Sequence, residues 1–227
     1  MRDWPGDPLA ATRNVASKAW RRVAAIPKRG VRLARRAGRL REQARAFQAE
    51  RQVERDIAAV ARGRQPIIVG PWLSEVGFEV LYWIPFLRWF EDRYRVDRER
   101  VIAVSRGGVA EWYADVAATY VEIFDHMDPD TFGRRNGERR EDNESGGQKQ
   151  TAPGALDRDI VAIACRAAGI ERAAVCHPSL MYRLFGQFWF GNRALDLVTS
   201  HTRHLPLTVT LRSDLGLPTE YVAAKFY

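Results

Sequence analysis

Cysteine is scarce in this chain, which carries only Cys165 and Cys176 among its 227 residues. Two cysteines are too few for the disulfide framework of a small secreted domain, and they lack the CxxC spacing of redox and metal sites. We therefore expect both thiols to be reduced and structural. No metal site and no cofactor are predicted.

Long apolar runs are also missing. A membrane-spanning helix needs about 18 apolar residues in a row, and even the segment from Val76 to Phe90 is interrupted by Glu79 and Arg88. The N-terminus lacks the compact apolar region and the small-residue cleavage site of a secretory signal. We predict no transmembrane helix and expect a cytoplasmic protein.

Positive charge is confined to one end of the chain. Residues 1–64 hold 17 Lys+Arg against 6 Asp+Glu, a net charge of +11, whereas residues 65–227 hold 19 against 22, a net charge of −3. Nucleic acid is not expected as the main ligand, because binding phosphate would require a basic face on the folded domain itself.

The basic extension over residues 1–64 is predicted to be helical after a Pro/Gly/Asp-rich, disordered start. Two helices are expected, at Thr12–Ile26 and Val31–Arg62, and apolar residues recur in the second at steps of three and four while arginine fills the other faces. Three interpretations stay open for residues 13–64: a packing or coiled-coil arm, contact with anionic lipid at the inner face of the membrane, and nucleic-acid binding.

From Gln65 onwards, short apolar runs alternate with helical segments, a pattern typical of βα units around a parallel sheet. We predict an α/β fold over residues 65–216, with a Rossmann-like parallel sheet and flanking helices. Residues 127–153 hold few apolar side chains, so a long exposed loop or a disordered insertion is predicted there. The predicted strands are Pro66–Val69, Val101–Ser105, Tyr120–Phe124 and Ala173–Cys176, and the predicted helices are Glu75–Phe90, Val109–Ala118, Leu156–Ala168 and Ser179–Phe190.

The loop after the first predicted strand is the strongest candidate for ligand contact, since ligands of open α/β sheets bind at the carboxyl ends of the strands. Gly70 and Gly77 allow close backbone approach, and Glu75 and Glu79 share one helix face. The two carboxylates suit sugar hydroxyls or a general base; alternatively, Ser74 caps the helix and Glu75 complements its dipole. The loop is not a GxGxxG fingerprint, so dinucleotide binding is not indicated.

Three further loops offer polar groups at predicted strand ends. Ser105, Arg106 and Gly107 suit a phosphate or carboxylate, and Asp125 follows the third strand. His177 follows the fourth strand as a base or donor, or as a histidine satisfied by the backbone, and Ser179 is expected to cap the next helix. Trp112 and Tyr113 suit either a sugar ring or core packing.

The segment Gly70-Pro71-Trp72, followed by Glu75, Gly77, Phe78 and Glu79, resembles the first strand–loop–helix of bacterial glycosyltransferase-like proteins of GT-B architecture. It is distantly similar to the glycine-containing first loop of fucosyltransferase-type enzymes. The resemblance covers Pro66–Phe124, with the segment at His177 as weaker support. It implies an acceptor-binding N-terminal domain, a nucleotide-sugar donor bound by a second domain, and a metal-independent reaction. Residues 217–227 are then expected to be the first strand of a truncated second domain, which would leave this fragment inactive.

These observations lead to one functional hypothesis and one alternative. The hypothesis is a glycosyltransferase that moves a sugar from a nucleotide-sugar donor to a glycan or lipid-linked acceptor. Glu79 or His177 would take the acceptor proton, while Glu75 and Arg106 orient the substrate, with Trp72 also in the site. The alternative is a non-catalytic α/β module whose basic arm binds a membrane surface or a partner protein.

Overall fold

The computed structural model describes residues 38, 40–41, 44–141, 149–191 and 193–204. The predicted helix Thr12–Ile26 and the predicted strand in 217–227 lie outside the described residues. The chain divides into two units, Met1–Ala49 and Glu50–Tyr227. In the first unit, the described residues are helical, and Leu40 and Phe47 are exposed.

The second unit is an α/β domain around a parallel sheet. Its four strands, β1 (Ile67–Val69), β2 (Val101–Ser105), β3 (Thr119–Glu122) and β4 (Ala174–Cys176), lie in the order β3-β2-β1-β4. All neighbouring strands pair in parallel, with Ile68 opposite both Ile102 and Val175. The predicted Rossmann-like α/β fold is confirmed.

Helices cover both faces of this sheet. The helical segment 50–62 (α1) precedes β1, and α2 (Val76–Phe78) continues through a π-helix (Glu79–Trp83) into α3 (Ile84–Tyr94). The later helices are α4 (Pro129–Glu141), α5 (Ala155–Ala167), α6 (Pro178–Trp189) and α7 (Asp196–Thr199). Short 3-10 turns lie at Arg98–Arg100, Ala110–Tyr113 and Ile123–Asp125.

The core has two layers because successive strand residues point to opposite faces. Ile67 and Val69 join the layer that also contains residues of α1, α3 and α6. Ile68 joins the other layer, with Phe132 of α4 and Ile160 of α5. Each fully buried side chain of this size contributes about 1.5–3 kcal/mol of hydrophobic free energy.

Helix α1 belongs to the α/β unit, so the domain begins earlier than the boundary between residues 64 and 65 that the sequence predicts. Val53 and Ile57 are buried in the core, while Arg51 and Arg55 are exposed. The apolar stripe of this segment is therefore a packing face. Any membrane contact of residues 50–62 would have to use the arginines.

Two predicted elements are wrong. Residues Pro129–Glu141 form helix α4 in the segment predicted to be a loop or disordered; Phe132 and Asn136 are its buried residues, too few to give a periodic pattern. The predicted helix Val109–Ala118 is only a 3-10 turn at Ala110–Tyr113, because the connection must reach β3 at Thr119. No helix among the described residues has the length and apolarity needed to cross a membrane.

Candidate functional site

The carboxyl ends of β1 and β4 form the topological switch point of the sheet. The chain passes from β1 to β2 on one side, and it returns after β3 to β4 on the other side of β1. Ligands of open α/β sheets bind in the crevice at such a point. Gly70 and His177 follow these two strands directly, so this edge of the sheet is the candidate site.

Gly70 is required by backbone packing. Its φ is +124°, and a Cβ atom there would lie 2.5 Å from the carbonyl oxygen of Val104. The N–H of Gly70 donates to the carbonyl of Cys176 at 3.0 Å, and the N–H of Trp72 donates to that of Val104 at 3.0 Å. The glycine predicted to approach a ligand thus approaches the neighbouring strands instead.

Trp72 is a core residue, which corrects its prediction as a substrate contact. Its side chain is fully buried, with ring centroids 5.8 Å from Trp83 and 6.1 Å from Tyr182. The predicted helix cap is also wrong, because Ser74 Oγ bonds the Tyr182 hydroxyl at 3.0 Å and Glu75 is the N-cap residue.

Glu79 lies buried at the start of the π-helix. Its Oε1 atom accepts hydrogen bonds from Ser105 Oγ at 2.5 Å and from the Tyr113 hydroxyl at 2.6 Å. Burial raises the pKa of Glu79, against the opposing effect of these two hydrogen bonds and of the Arg106 charge. The network joins the π-helix to the end of β2 and to the 3-10 turn, so Tyr113 packs in the core and is not available to a sugar.

Arg106 ties the loop after β2 to the loop after β1. Its Nη1 and Nη2 atoms donate to the carbonyl oxygens of Trp72 at 2.8 Å and Ser74 at 2.5 Å. The guanidinium also lies 5.6 Å from the ring centroid of Phe132. Arg106 therefore fixes the shape of the first loop.

The glycine turn after Arg106 already holds an anion of this chain. Gly107 and Gly108 both have positive φ, +85° and +72°. Their N–H groups donate to the two carboxylate oxygens of Glu122 at 3.0 and 2.8 Å. A phosphate or carboxylate ligand, as predicted for Ser105–Gly107, would have to displace this carboxylate.

His177 is held on both ring nitrogens. Its Nδ1 atom accepts the backbone N–H of Ser179 at 3.0 Å, so the ring proton lies on Nε2 and donates to Asp157 Oδ1 at 2.9 Å. His177 is itself the N-cap of α6, which corrects the prediction that Ser179 caps this helix. Both residues are buried.

Asp157 and Gln150 complete a buried polar network across the switch point. Gln150 Nε2 donates to Asp157 Oδ1 at 2.8 Å and to the Pro71 carbonyl at 2.9 Å, and its Oε1 accepts the Leu73 N–H at 2.8 Å. Burial would raise the pKa of Asp157, but hydrogen bonds from His177 and other donors outweigh it and lower that pKa. The network joins the loops after β1 and β4.

Four predicted site residues are exposed: Glu75, Gly77, Gly107 and Asp125. Glu75 and Gly77 lie at the start of the α2 helix, beside the switch point. Asp125 lies after β3, two strands away from β1, and the structure gives no hydrogen bond between Asp125 and another predicted site residue. The switch point thus brings together the residues after β1, β2 and β4 but not Asp125.

An aromatic cluster adjoins this edge, formed by Phe78, Tyr82, Tyr182 and Trp189, and Phe190 follows Trp189 at the end of α6. Ring centroids lie 5.4 Å apart for Phe78 and Trp189 and 5.2 Å apart for Tyr82 and Trp189. Tyr182 is buried, whereas Phe78, Tyr82 and Trp189 are half-buried. Phe190 is 77% exposed. Burial raises the pKa of Tyr182 to about 12, with a contribution from the nearby Glu75 carboxylate.

Several site residues escape sequence reasoning. Asp157 leaves one detectable signal, because it shares the buried face of α5 with Ile160 and Ala164 and a charge on an apolar helix face needs partners. Gln150 and Glu122 leave none, since they lie in polar or strand-end segments. Their roles depend on contacts between residues far apart in the chain.

Among the residues that the structure describes, no group of three or more His, Cys, Asp or Glu side chains could hold a metal ion. No protein-family model, no curated protein and no solved structure matches this chain. The function is therefore inferred from the fold and from the geometry of the site.

Proposed function

We propose that this chain is the acceptor-binding α/β domain of a glycosyltransferase of GT-B type. The reaction would transfer a sugar from a nucleotide-sugar donor to a glycan or lipid-linked acceptor. The observation that carries the proposal is the aromatic cluster beside the switch point, with the exposed carboxylate of Glu75 next to it. Sugar rings stack on aromatic faces, and carboxylates accept hydrogen bonds from their hydroxyls.

Within this proposal, Glu75 is the group that contacts the acceptor. A general base must lie within hydrogen-bond reach of the proton it takes, and the Glu75 side chain is exposed. Glu79 and His177 are buried and bonded to groups of the protein. We assign them a positioning role, in which they fix the π-helix, which carries Tyr82, and the start of α6, which carries Tyr182 and Trp189.

The basic extension would complement this activity. Exposed arginines continue along α1 at Arg51, Arg55 and Arg62. Each arginine near an anionic membrane surface contributes about 1 kcal/mol, so the extension would bring the domain to a lipid-linked acceptor. The proposed localisation is the cytoplasm, at the inner face of the membrane.

A second candidate is a non-catalytic α/β module. The observation in its favour is that both carboxylate networks, at Glu79 and Asp157, are internally satisfied. Such a module would bind a ligand or partner without turning over a substrate.

Two measurements test the proposal. Saturation-transfer difference NMR with a panel of neutral oligosaccharides should show transfer to the sugar protons, weakened in Glu75→Gln and unchanged in Glu111→Gln, another exposed glutamate. Hydrolysis of UDP-, GDP- and CMP-sugars is then measured on the full chain. Sugar binding without any turnover would favour the non-catalytic module, and the absence of sugar binding would contradict the proposal.

A further inference from the structure

The ammonium group of Lys149 lies among three aromatic rings. Its Nζ atom is 4.4 Å from the ring centroid of Phe190, 5.2 Å from that of Trp189 and 5.6 Å from that of Phe78. All three distances are within the range of about 6 Å at which a cation is attracted to an aromatic face. We call these three rings the aromatic box.

The cationic residue in the box is a lysine, whereas most cationic residues of the chain are arginines. Of its 36 cationic side chains, four are lysines, at positions 18, 28, 149 and 225. Lys149 is the only lysine among the described residues. An ammonium is a compact point charge, unlike the planar guanidinium, so the residue in the box has the shape of a small ammonium ion.

The residue that follows Lys149 is held by its side chain. The following residue, Gln150, is fully buried and bonds the loop after β1 and Asp157. The box itself is accessible from outside, because Phe190 is 77% exposed while Trp189 and Phe78 are half-buried. A ligand could therefore enter the box by displacing the lysine side chain while Gln150 stays in place.

We propose that the rings of Phe78, Trp189 and Phe190 form a binding site for an organic ammonium group, and that Lys149 is its intramolecular occupant. The chemical class is a primary or quaternary alkylammonium, which aromatic boxes recognise through the negative faces of their rings. The tethered lysine competes with that ligand, so its presence sets the concentration at which the ligand binds. The box shares its rings with the aromatic cluster proposed to bind a sugar, but its ligand is chemically different, since the box needs a cation and not a hydroxyl-rich ring.

The first measurement observes Lys149 directly. With only four lysines in the chain, a carbon–proton NMR spectrum of the lysine side chains resolves each methylene signal. The Lys149 Cε protons should be shifted upfield by the ring currents. The shifted signal should be absent from the spectrum of Lys149→Met, and the shift should be smaller in Phe190→Ala. A spectrum in which all lysine signals coincide with those of free lysine would overturn the proposal.

The second measurement titrates the protein with choline, using 3,3-dimethylbutan-1-ol as a neutral compound of nearly the same shape. Choline should move the Lys149 signal towards its position in free lysine, and the neutral alcohol should not. Lys149→Met should bind choline about threefold or more tightly than the wild type, because the tethered competitor is gone. Lys225→Met is the matched control and should bind like the wild type.

Removing Phe190 should weaken choline binding by about two- to fivefold, as expected for a cation–π contact at an exposed site. Phosphatidylcholine vesicles form a separate arm that distinguishes a lipid headgroup from a soluble ligand. Binding in either arm that Phe190→Ala weakens supports the site. Equal binding of choline and the neutral alcohol to Lys149→Met would overturn it, whatever the outcome of the oligosaccharide measurements.

Discussion

The hydroxyl of Tyr113 donates a hydrogen bond of 2.6 Å to Oε1 of Glu79, and both side chains are buried. This contact joins the turn after β2 to the start of the π-helix, and Ser105 donates to the same oxygen. Removing one donor from a buried acceptor costs about 1–3 kcal/mol. Tyr113→Phe should therefore lower the free energy of unfolding by this amount, as measured by urea denaturation.

The control for this variant is Tyr120→Phe. The Tyr120 hydroxyl donates to Glu122 at 3.1 Å, but the same carboxylate also accepts N–H groups from Gly107 and Gly108. Tyr120→Phe should therefore lower the free energy of unfolding by less than Tyr113→Phe does. Equal effects of both variants would contradict the role assigned to the Glu79 network.

The pH dependence of stability gives a second test of Glu79. Burial raises its pKa in the folded protein, although the hydrogen bonds from Ser105 and Tyr113 oppose this effect. A carboxyl group with a raised folded pKa contributes stability below its unfolded pKa of about 4.3, and that contribution is lost as the pH rises through the folded value. The wild type should thus lose stability relative to Glu79→Gln between about pH 4 and about pH 7. Urea unfolding at both pH values measures the difference, and a gap that does not change with pH would refute this account.

Asp157 should show the opposite dependence on pH. Burial raises its pKa, but the hydrogen bonds from His177, Gly154 and Gln150 outweigh it and lower that pKa. The stability it contributes is present above its unfolded pKa and is lost as the pH falls through the lowered folded value. Asp157→Asn should cost about 1.5–3 kcal/mol near neutral pH and less in acid.

Asp159→Asn is the matched control on the same helix. Asp159 pairs with Arg135, but its side chain is 58% exposed, and exposed ion pairs contribute about 0–1 kcal/mol. Thermal and urea unfolding near neutral pH measure the stability of both variants. If Asp157→Asn were as stable as Asp159→Asn, the buried network across the switch point would contribute no more stability than an exposed ion pair.

Gly70, in the loop after β1, and Gly77, in α2, should respond differently to alanine. At Gly70, with φ of +124°, a Cβ atom would meet the Val104 carbonyl oxygen at 2.5 Å, so Gly70→Ala should cost at least about 1–3 kcal/mol. At Gly77 nothing lies within 4 Å, and alanine favours a helix over glycine by about 1 kcal/mol. Gly77→Ala should therefore leave stability unchanged or raise it. Thermal denaturation distinguishes the pair, and similar melting temperatures would be incompatible with this geometry.

The sequence predicts the strands at β1, β2 and β4 well because short apolar runs bounded by glycine, proline or histidine leave few alternatives. It also singles out Glu79, whose charge within an apolar helix requires buried partners. It misses α4, whose buried side chains are Phe132 and Asn136 and give no apolar period. It misplaces Trp72, because an aromatic residue in a loop has the same local pattern whether it stacks on a ligand or on Trp83 and Tyr182.

The partners of the polar side chains are even less accessible to sequence reasoning. The contact between Gln150 and Leu73 and the contact between Arg106 and Ser74 join loops that meet only after the sheet forms. In the sequence, an arginine beside two glycines indicates a turn that binds an anion, but it does not indicate where the anion comes from. In the structure, the N–H groups of this turn bind the carboxylate of Glu122, from the same chain. Only the fold distinguishes an internal partner from an external one.

Carbohydrate binding is proposed for the aromatic cluster at the carboxyl edge of the sheet. Its most direct test is saturation-transfer difference NMR with a panel of neutral oligosaccharides on the wild type, Phe190→Ala and Leu195→Ala. Phe190 and Leu195 are both exposed apolar residues, at 77% and 55%, but Phe190 directly follows Trp189 of the cluster, whereas Leu195 lies at the start of α7. Transfer to sugar protons is expected in the wild type and in Leu195→Ala, and it should be lost in Phe190→Ala. The absence of transfer in the wild type, or equal transfer in all three proteins, would rule out carbohydrate binding at this cluster.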